Sequence, residues 1–140
     1  MFPNLSEDTG STKQHRMVIY IPSRRRDGSP IEGFAGLAEE TALTLCRKFG
    51  GVTCYPGTGF FRTEDGEVQK ETIEAMEFYF GKREWETEKV FLEELPGHLG
   101  RKLCQESIAC SLDGILILVP PAQEGPDSSG MAGRNPAEGT

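Results

Sequence analysis

The chain contains 140 residues, of which 36% are hydrophobic and 26% are charged, a composition typical of a soluble globular protein with one core. Its formal net charge of −7 disfavours general nucleic-acid binding, because such binding grows with the number of Lys and Arg contacts to phosphate. The apolar run at residues 114–121 is far shorter than the roughly 20 residues that cross a bilayer. The first residues lack the basic start and apolar stretch of a secretory signal, which predicts a cytoplasmic protein without membrane contact.

Both ends of the chain are polar and rich in Gly, Ser, Pro and Asp. Such segments bury too little apolar surface to offset the entropy of ordering them. We therefore predict a disordered N-terminal tail at residues 1–15, a single domain at residues 16–121, and a disordered C-terminal tail at residues 122–140.

The first elements of the domain are a predicted strand and a predicted helix. The β-branched and aromatic run at residues 17–22 predicts a strand that ends at its proline. Residues 29–32, Ser-Pro-Ile-Glu, match a capping box and open a helix with one apolar stripe. Gly33 and Gly36 allow its start to move by one turn, and Gly50 supplies the left-handed stop.

A hairpin is predicted next, from two β-rich runs at residues 52–63 and 68–80 that flank Gly66. A second helix is predicted at residues 87–95, interrupted by Pro96-Gly97. Alternating apolar residues then lead to Asp113-Gly114, which between two such runs is a strong signal for a two-residue hairpin.

This order of elements predicts an α+β protein of the ferredoxin-like, split βαβ type, with an additional C-terminal strand. Its antiparallel sheet carries both helices on one face. The runs at residues 18–21, 76–80 and 115–119 have large apolar residues on both sides of the strand, unlike strands whose second face is open to water. Because such a face is usually covered by a partner, we predict a homodimer through the sheet.

The glycine-rich segment at residues 49–66 raises the question of a phosphate-binding loop. In a Walker loop the second glycine precedes Lys, but Gly57 and Gly59 are followed by two Phe residues. A dinucleotide fingerprint would need Gly at the position of Arg62. The segment is interpreted as a helix stop and a bent edge strand. In a second interpretation, Gly57, Gly59 and Phe61 line a ligand site that they share with Glu71 across the hairpin.

Three consecutive arginines lie ahead of the predicted start of the first helix, where free N–H groups and the helix dipole favour anions. Arg24, Arg25 and Arg26 are therefore candidates to bind a small anionic ligand through its phosphate or carboxylate. The alternative is a solvated run of charge in a loop.

The second strand of the predicted hairpin carries three glutamates, with Glu71 and Glu77 on one face and Glu74 on the other. A buried carboxylate with a raised pKa performs acid–base chemistry, which makes Glu71 and Glu74 candidate catalytic residues. Charges on exposed strands also prevent aggregation, which is the alternative. With His15 in a predicted tail and His98 beside a helix break, a Cys–His or Ser–His–Asp assembly has few bases to draw on.

The cysteines do not form the C-x-x-C pairs typical of zinc or redox sites. We predict no metal site and no cofactor. The cysteines are interpreted as small buried apolar residues; they are Cys46, Cys54, Cys104 and Cys110.

Two segments resemble a group of small uncharacterised bacterial proteins: LCRKFGGVTCYPGTGFFRTEDGEV at residues 45–68 and GRKLCQESIACSLDG at residues 100–114. The resemblance extends over residues 17–119, and it implies a ferredoxin-like fold and a bacterial origin. It implies no particular activity, because its motifs consist mostly of glycines, aromatic residues and turns.

The same resemblance directs attention to three polar positions. Gln105 and Glu106 lie in the second resembling segment, and Glu71 follows the first. If the group shares a ligand, these residues are implied to contact it. Phe61 stands where many relatives are expected to have Trp, so the resemblance does not assign a role to this aromatic residue.

Two functions from different classes follow. The first is a non-enzymatic homodimer that binds a small ligand or a protein. The alternative is an enzyme of the dimeric α/β-barrel type that uses a carboxylate such as Glu71 in a pocket between sheet and helices. An enzyme predicts a closed cavity with convergent polar groups, whereas a binding module predicts a flat apolar face or an anion site at a helix terminus.

Overall fold

The computed structural model describes Phe2 and residues 13–123. The predicted tails, residues 1–15 and 122–140, lie for the most part outside these residues. Along the described chain the elements are β1 (His15–Pro22), α1 (Phe34–Phe49), β2 (Thr53–Arg62), β3 (Val68–Phe80), α2 (Lys82–Lys102), β4 (Ile108–Leu112) and β5 (Ile115–Val119).

The strands form one five-stranded sheet in the order β2-β3-β1-β4-β5, and every neighbouring pair is antiparallel. This is the predicted ferredoxin-like arrangement with β5 added at one edge, so the predicted fold class is confirmed. Both helices pack on the same face, α1 against β3 and α2 against β4 and β1. The largest fully buried side chains between them are Phe49, Phe78, Phe80, Met17, Ile19, Ile21, Leu45, Met76, Leu92, Leu99, Ile108 and Leu112.

The first helix begins one turn later than the capping box predicts. Asp27 Oδ1 accepts hydrogen bonds from the Ser29 N–H (2.9 Å) and the Ser29 hydroxyl (2.6 Å), so Ser29 closes a turn and does not cap the helix. Pro30 forms an isolated bridge with Arg24. Gly33, with φ 79°, is the residue that precedes the helix. The start at residue 30 is therefore wrong, and the helix begins at the later position, one turn on, that Gly33 and Gly36 were expected to allow.

The second helix is longer than predicted and contains Pro96 in its interior. A proline removes one helical hydrogen bond and crowds the preceding turn. Here Leu92 and Leu99, about one turn on either side, are fully buried against the sheet, and burial of each leucine contributes about 1.5–3 kcal/mol. Tertiary packing thus offsets the cost of the proline, and the predicted interruption at Pro96-Gly97 is wrong.

The predicted hairpin at Asp113-Gly114 is confirmed, and it is anchored to the start of β1. Both residues have positive φ, 53° and 84°, as a tight hairpin turn requires. The Asp113 carboxylate accepts the Arg16 N–H (2.8 Å) and lies 2.8 Å from His15 Nδ1. His15 is buried as the first residue of β1, so its placement in the N-terminal tail is corrected.

The start of the chain also contacts the helical side of the sheet. The Phe2 ring stacks on Trp85 at 5.9 Å between centroids, and Trp85 stacks on Phe80 at 5.6 Å. Lys13 Nζ donates to the Phe49 carbonyl at 2.5 Å. These contacts lie on the helix-covered side of the molecule. Within the described part of the chain, no helix combines the length and the apolar character needed to span a membrane.

Substitution of one glycine in each helix tests how closely α2 packs against the end of the described chain. A Cβ added to Gly97 would lie 3.2 Å from the Pro120 carbonyl oxygen and 3.3 Å from Ala122 N, both backbone atoms. We expect Gly97→Ala to lower the free energy of unfolding by about 1–3 kcal/mol. Gly36→Ala has open space around the new Cβ and should raise it by about 0.5–1 kcal/mol. Urea denaturation measures both, and equal effects would contradict the close approach at Gly97.

Candidate functional site

The face of the sheet opposite the helices, called the open face below, carries the predicted site residues of β2 and β3 except Glu74. The strand register places Tyr55, Ala75 and Tyr20 side by side across three strands. Further aromatic and apolar residues continue the face on either side. Its aromatic and apolar members are Val18, Tyr20, Tyr55, Phe61, Ile73, Ala75, Tyr79, Ala109, Leu116 and Leu118.

Glu71 lies near the start of β3, directly opposite Gly59 of β2. Its side chain is half-buried. Burial raises the pKa of the Glu71 carboxyl, and the positive charge of Arg26 opposes this rise. Glu71 is therefore a partly desolvated carboxylate that a neighbouring cation influences.

The other two glutamates of β3 have different environments. Glu77 shares the open face with Glu71, and its carboxylate accepts hydrogen bonds from Arg16 Nε and, at 3.5 Å, from the Tyr79 hydroxyl. Glu74 is on the helical face of β3, opposite Pro56. The predicted separation of the three side chains between two faces is confirmed. Glu74 does not share a face with Glu71, so the two candidates cannot act as a pair on one ligand there.

The arginine loop, residues 23–33, follows β1 and lies beside the start of β3. The Ser23 N–H donates to the Thr72 carbonyl at 2.9 Å and so extends the β1–β3 ladder into the loop. This pairing explains how the charge of Arg26 reaches Glu71. Because α1 begins only at Phe34, Arg24, Arg25 and Arg26 are not adjacent in sequence to the first residue of the helix. Anion binding by the arginines, alone or together with the helix dipole, stays a prediction.

Gln105 and Glu106 lie in the loop between α2 and β4. The Gln105 N–H donates to the Gly100 carbonyl (2.8 Å), and its side-chain amide donates to the Leu103 carbonyl (3.2 Å). Since Tyr20 near the end of β1 pairs with Ala109 near the start of β4, this loop is at the same end of the sheet as Glu71. Among the described residues, no hydrogen bond joins Gln105 or Glu106 to Glu71.

The glycines of β2 differ in how much space they leave. A Cβ at Gly57 would contact the Ile73 side chain at 3.4 Å, so Ile73 already covers this position. At Gly59 the nearest atom to an added Cβ is the Glu71 carbonyl oxygen, at 4.0 Å. Phe61, two residues after Gly59 on the same face of β2, is exposed and lies opposite Gln69. The uncovered backbone is thus at Gly59, next to Glu71.

Tyr20 is a site residue that sequence reasoning missed. It is half-buried on the open face and flanked by Ala75 and Ala109. The signal was present, because alternation in the run at residues 17–22 puts Tyr20 on the face opposite Ile19 and Ile21. With Tyr55 across Ala75, it forms an aromatic group that is four residues along β2 from the uncovered backbone at Gly59.

Two depressions of the described chain lie away from Glu71. One, of about 540 Å³, is at the β2–β3 turn between Arg62 and Gly66. The other, of about 320 Å³, is on α1 between Gly36 and Arg47. Both are open to solvent, so neither is the closed cavity that the enzyme hypothesis predicts.

The cysteines differ from the sequence-based interpretation. Cys110 is buried, which raises the pKa of its thiol to about 11, and such a thiol is a poor nucleophile. Cys46, Cys54 and Cys104 are exposed, so their predicted burial is wrong. Within residues 13–123, no cluster of three or more His, Cys, Asp or Glu side chains could hold a metal ion.

Comparison with known proteins gives a fold relationship. No protein-family model matches the chain, and no curated protein matches it significantly. A phage SAM lyase in complex with S-methyl-5′-thioadenosine superposes with a TM-score of 0.53 at 14% identity, over 84% of this chain and 96% of the lyase. A phage SAM lyase in the apo state gives a TM-score of 0.53 at 12% identity, over 87% and 100%. The shared architecture therefore extends over nearly the whole of both chains.

The environment of Glu71 predicts a pH-dependent stability. Because its folded-state pKa is raised above the ordinary value of 4.5, the folded protein loses stability as pH rises through the folded pKa. We expect Glu71→Gln to remove this loss, so that the variant gains stability over the wild type between about pH 4 and about pH 7. Arg26→Gln should make the loss of stability with rising pH larger when Glu71 is present. In the Glu71→Gln background, Arg26→Gln should not change how stability depends on pH. Urea denaturation at the two pH values measures this cycle, and a pH-independent difference would contradict it.

Proposed function

We propose that the chain binds S-adenosylmethionine on the open face beside Glu71 and cleaves it to S-methyl-5′-thioadenosine. The observation that carries the proposal is a half-buried carboxylate, Glu71, beside the uncovered backbone of Gly59. A desolvated carboxylate favours a cationic ligand, and S-adenosylmethionine carries a sulfonium and an ammonium group. A glycine lets a ligand approach the backbone closely.

Two further features fit a nucleoside with positive charge. Tyr20 and Tyr55 present aromatic rings on the face that carries Glu71, and aromatic rings stack on bases with little dependence on which base is bound. The net charge of −7 attracts a cation over a longer range. The fold shared with phage SAM lyases over most of both chains supports the same ligand class.

The chemistry that we propose needs no external reagent. An oxygen of the substrate carboxylate forms a bond to the carbon that joins the substrate's own amino-acid side chain to sulfur. The bond from that carbon to sulfur breaks, and its electron pair goes to the sulfur. The products are a neutral thioether, S-methyl-5′-thioadenosine, and a lactone that retains the ammonium group, so every atom and charge is accounted for. Glu71 holds the cationic end of the substrate in the folded geometry that ring closure needs.

The reaction provides the direct test. We expect purified protein to release S-methyl-5′-thioadenosine from S-adenosylmethionine, detected by liquid chromatography and mass spectrometry. Glu71→Gln should lower the rate by roughly 10²-fold, since it removes the charge and keeps the shape. Glu74→Gln, on the helical face of the same strand, is the matched control and should retain the wild-type rate.

Binding without turnover would support the second candidate, a ligand-binding module. Calorimetric titration with S-methyl-5′-thioadenosine separates the cases. The absence of both binding and turnover would overturn the proposal.

We also propose that a second copy of the chain covers the β4–β5 half of the open face. Leu116 and Leu118 lie there and are 64% and 63% exposed, side by side with Ser111 and Ala109 of β4. Neighbouring Val18 is fully buried, so the patch continues an apolar layer. A two-fold interface brings the same patch from both copies together, and an apolar patch without charges is self-complementary.

The dimer proposal predicts that a charge on the shared patch lowers the molecular mass of the particle in solution. Leu118→Lys places a charge on the shared patch and should convert a dimer to a monomer in light scattering at micromolar concentration. Val90→Lys is the control, because Val90 is 66% exposed on α2, away from the open face. A wild-type protein that is monomeric, or a dimer that tolerates Leu118→Lys, would contradict this interface.

A further inference from the structure

We infer that Arg26 and Glu71 form a two-charge site that selects ligands by their amino-acid end, with Arg26 binding the carboxylate and Glu71 the neighbouring cation. This inference rests on the proposed function, and it assigns to that site the part of the substrate that it recognises. The ligand class is a zwitterion attached to a nucleoside.

The first support is the internal structure of the arginine loop. Arg24 Nη1 donates to the Gly28 carbonyl at 3.1 Å, and the Arg25 N–H donates to the Ser29 carbonyl at 2.9 Å. The Asp27 carboxylate is held by the N–H and hydroxyl groups of Ser29. These bonds shape the loop, and they employ the side chains of Arg24 and Asp27 within it.

The second support is the position of the remaining charges. In the described part of the chain, the guanidinium groups of Arg25 and Arg26 form no hydrogen bond or ion pair with protein groups. The charge of Arg25 acts on Asp27, inside the loop. The bond from the Ser23 N–H to the Thr72 carbonyl places the loop beside the start of β3, and the charge of Arg26 acts on the Glu71 carboxyl. Arg26 is therefore the arginine of the loop that we assign to the site.

The third support is that Arg26 and Glu71 are neighbours without being an ion pair. Glu77, on the same face, is bound by Arg16, whereas Glu71 has no such contact among the described residues. Two opposite charges that lie near one another without forming an ion pair are complementary to a ligand that carries a negative group beside a positive group. The α-carboxylate and α-ammonium groups of an amino acid have this arrangement, and a guanidinium group binds carboxylates through two parallel N–H donors.

Two stable ligands separate recognition of the amino-acid end from recognition of the nucleoside. S-adenosylhomocysteine has the amino-acid end and lacks the sulfonium, so it is not cleaved. S-methyl-5′-thioadenosine has the nucleoside and lacks the amino-acid end. We expect Arg26→Gln to weaken binding of S-adenosylhomocysteine by roughly tenfold to a hundredfold, the effect of losing a charged hydrogen bond. Its affinity for S-methyl-5′-thioadenosine should stay within about twofold.

The control is Arg83→Gln, which removes the same charge from an exposed position on α2 and should leave both affinities unchanged. Calorimetric titration of the wild type and the two variants gives all six affinities, and thermal unfolding confirms that each variant is folded. If the wild type binds neither ligand and releases no S-methyl-5′-thioadenosine from S-adenosylmethionine, the proposed function fails. If it binds both and Arg26→Gln weakens both equally, or neither, the inference about Arg26 is overturned while the proposed function stands.

Discussion

The antiparallel pairing of β1 with β3 determines where the polar residues of this protein meet. β1 is the central strand of the sheet, and its residues Met17, Val18 and Ile19 are fully buried, so both faces of this strand exclude water. The ladder continues past β1 through the bond from Ser23 to Thr72. That extra step places the arginine loop beside the start of β3, and a shift of register by one residue would turn Glu71 to the helical face.

Local chemistry was sufficient to predict much of the fold. The alternation of apolar residues and the turn residues at Gly66 and Asp113-Gly114 are short-range signals, and the structure has both hairpins. The predicted bounds of the two helices were wrong where another interaction competed with the local sequence signal. The side chain of Ser29 bonds to Asp27 and not to a helix N-terminus, and the helix through Pro96 is held by contacts with the sheet that no local window contains.

The site residues of the hairpin were predicted, together with the sharing of one site by Gly59 and Glu71 across it, but the contribution of the arginine loop to that site was not predicted. Glu71 and Gly59 were each identified from the sequence, and the hairpin register places them opposite one another. The proximity of Arg26 to Glu71 depends on the pairing of β1 with β3, which are far apart in the chain. Sequence periodicity does not show which strands pair. Tyr20 was overlooked because a β-branched and aromatic run is typical of a strand that is buried on both faces. In the structure its neighbours on adjacent strands are the small residues Ala75 and Ala109.

The contrast between Glu71 and Glu77 is the strongest reason to assign a function to Glu71. Both lie on the open face of β3, and Glu77 has a partner in Arg16. Glu71 is half-buried, and burial raises the pKa of its carboxyl, which means that the folded protein holds the charged form at a cost in stability. A glutamine would remove that cost without changing the shape of the side chain. A carboxylate held at such a cost, beside uncovered backbone and an arginine that does not pair with it, is suited to a cationic or zwitterionic ligand more than to the stability of the sheet.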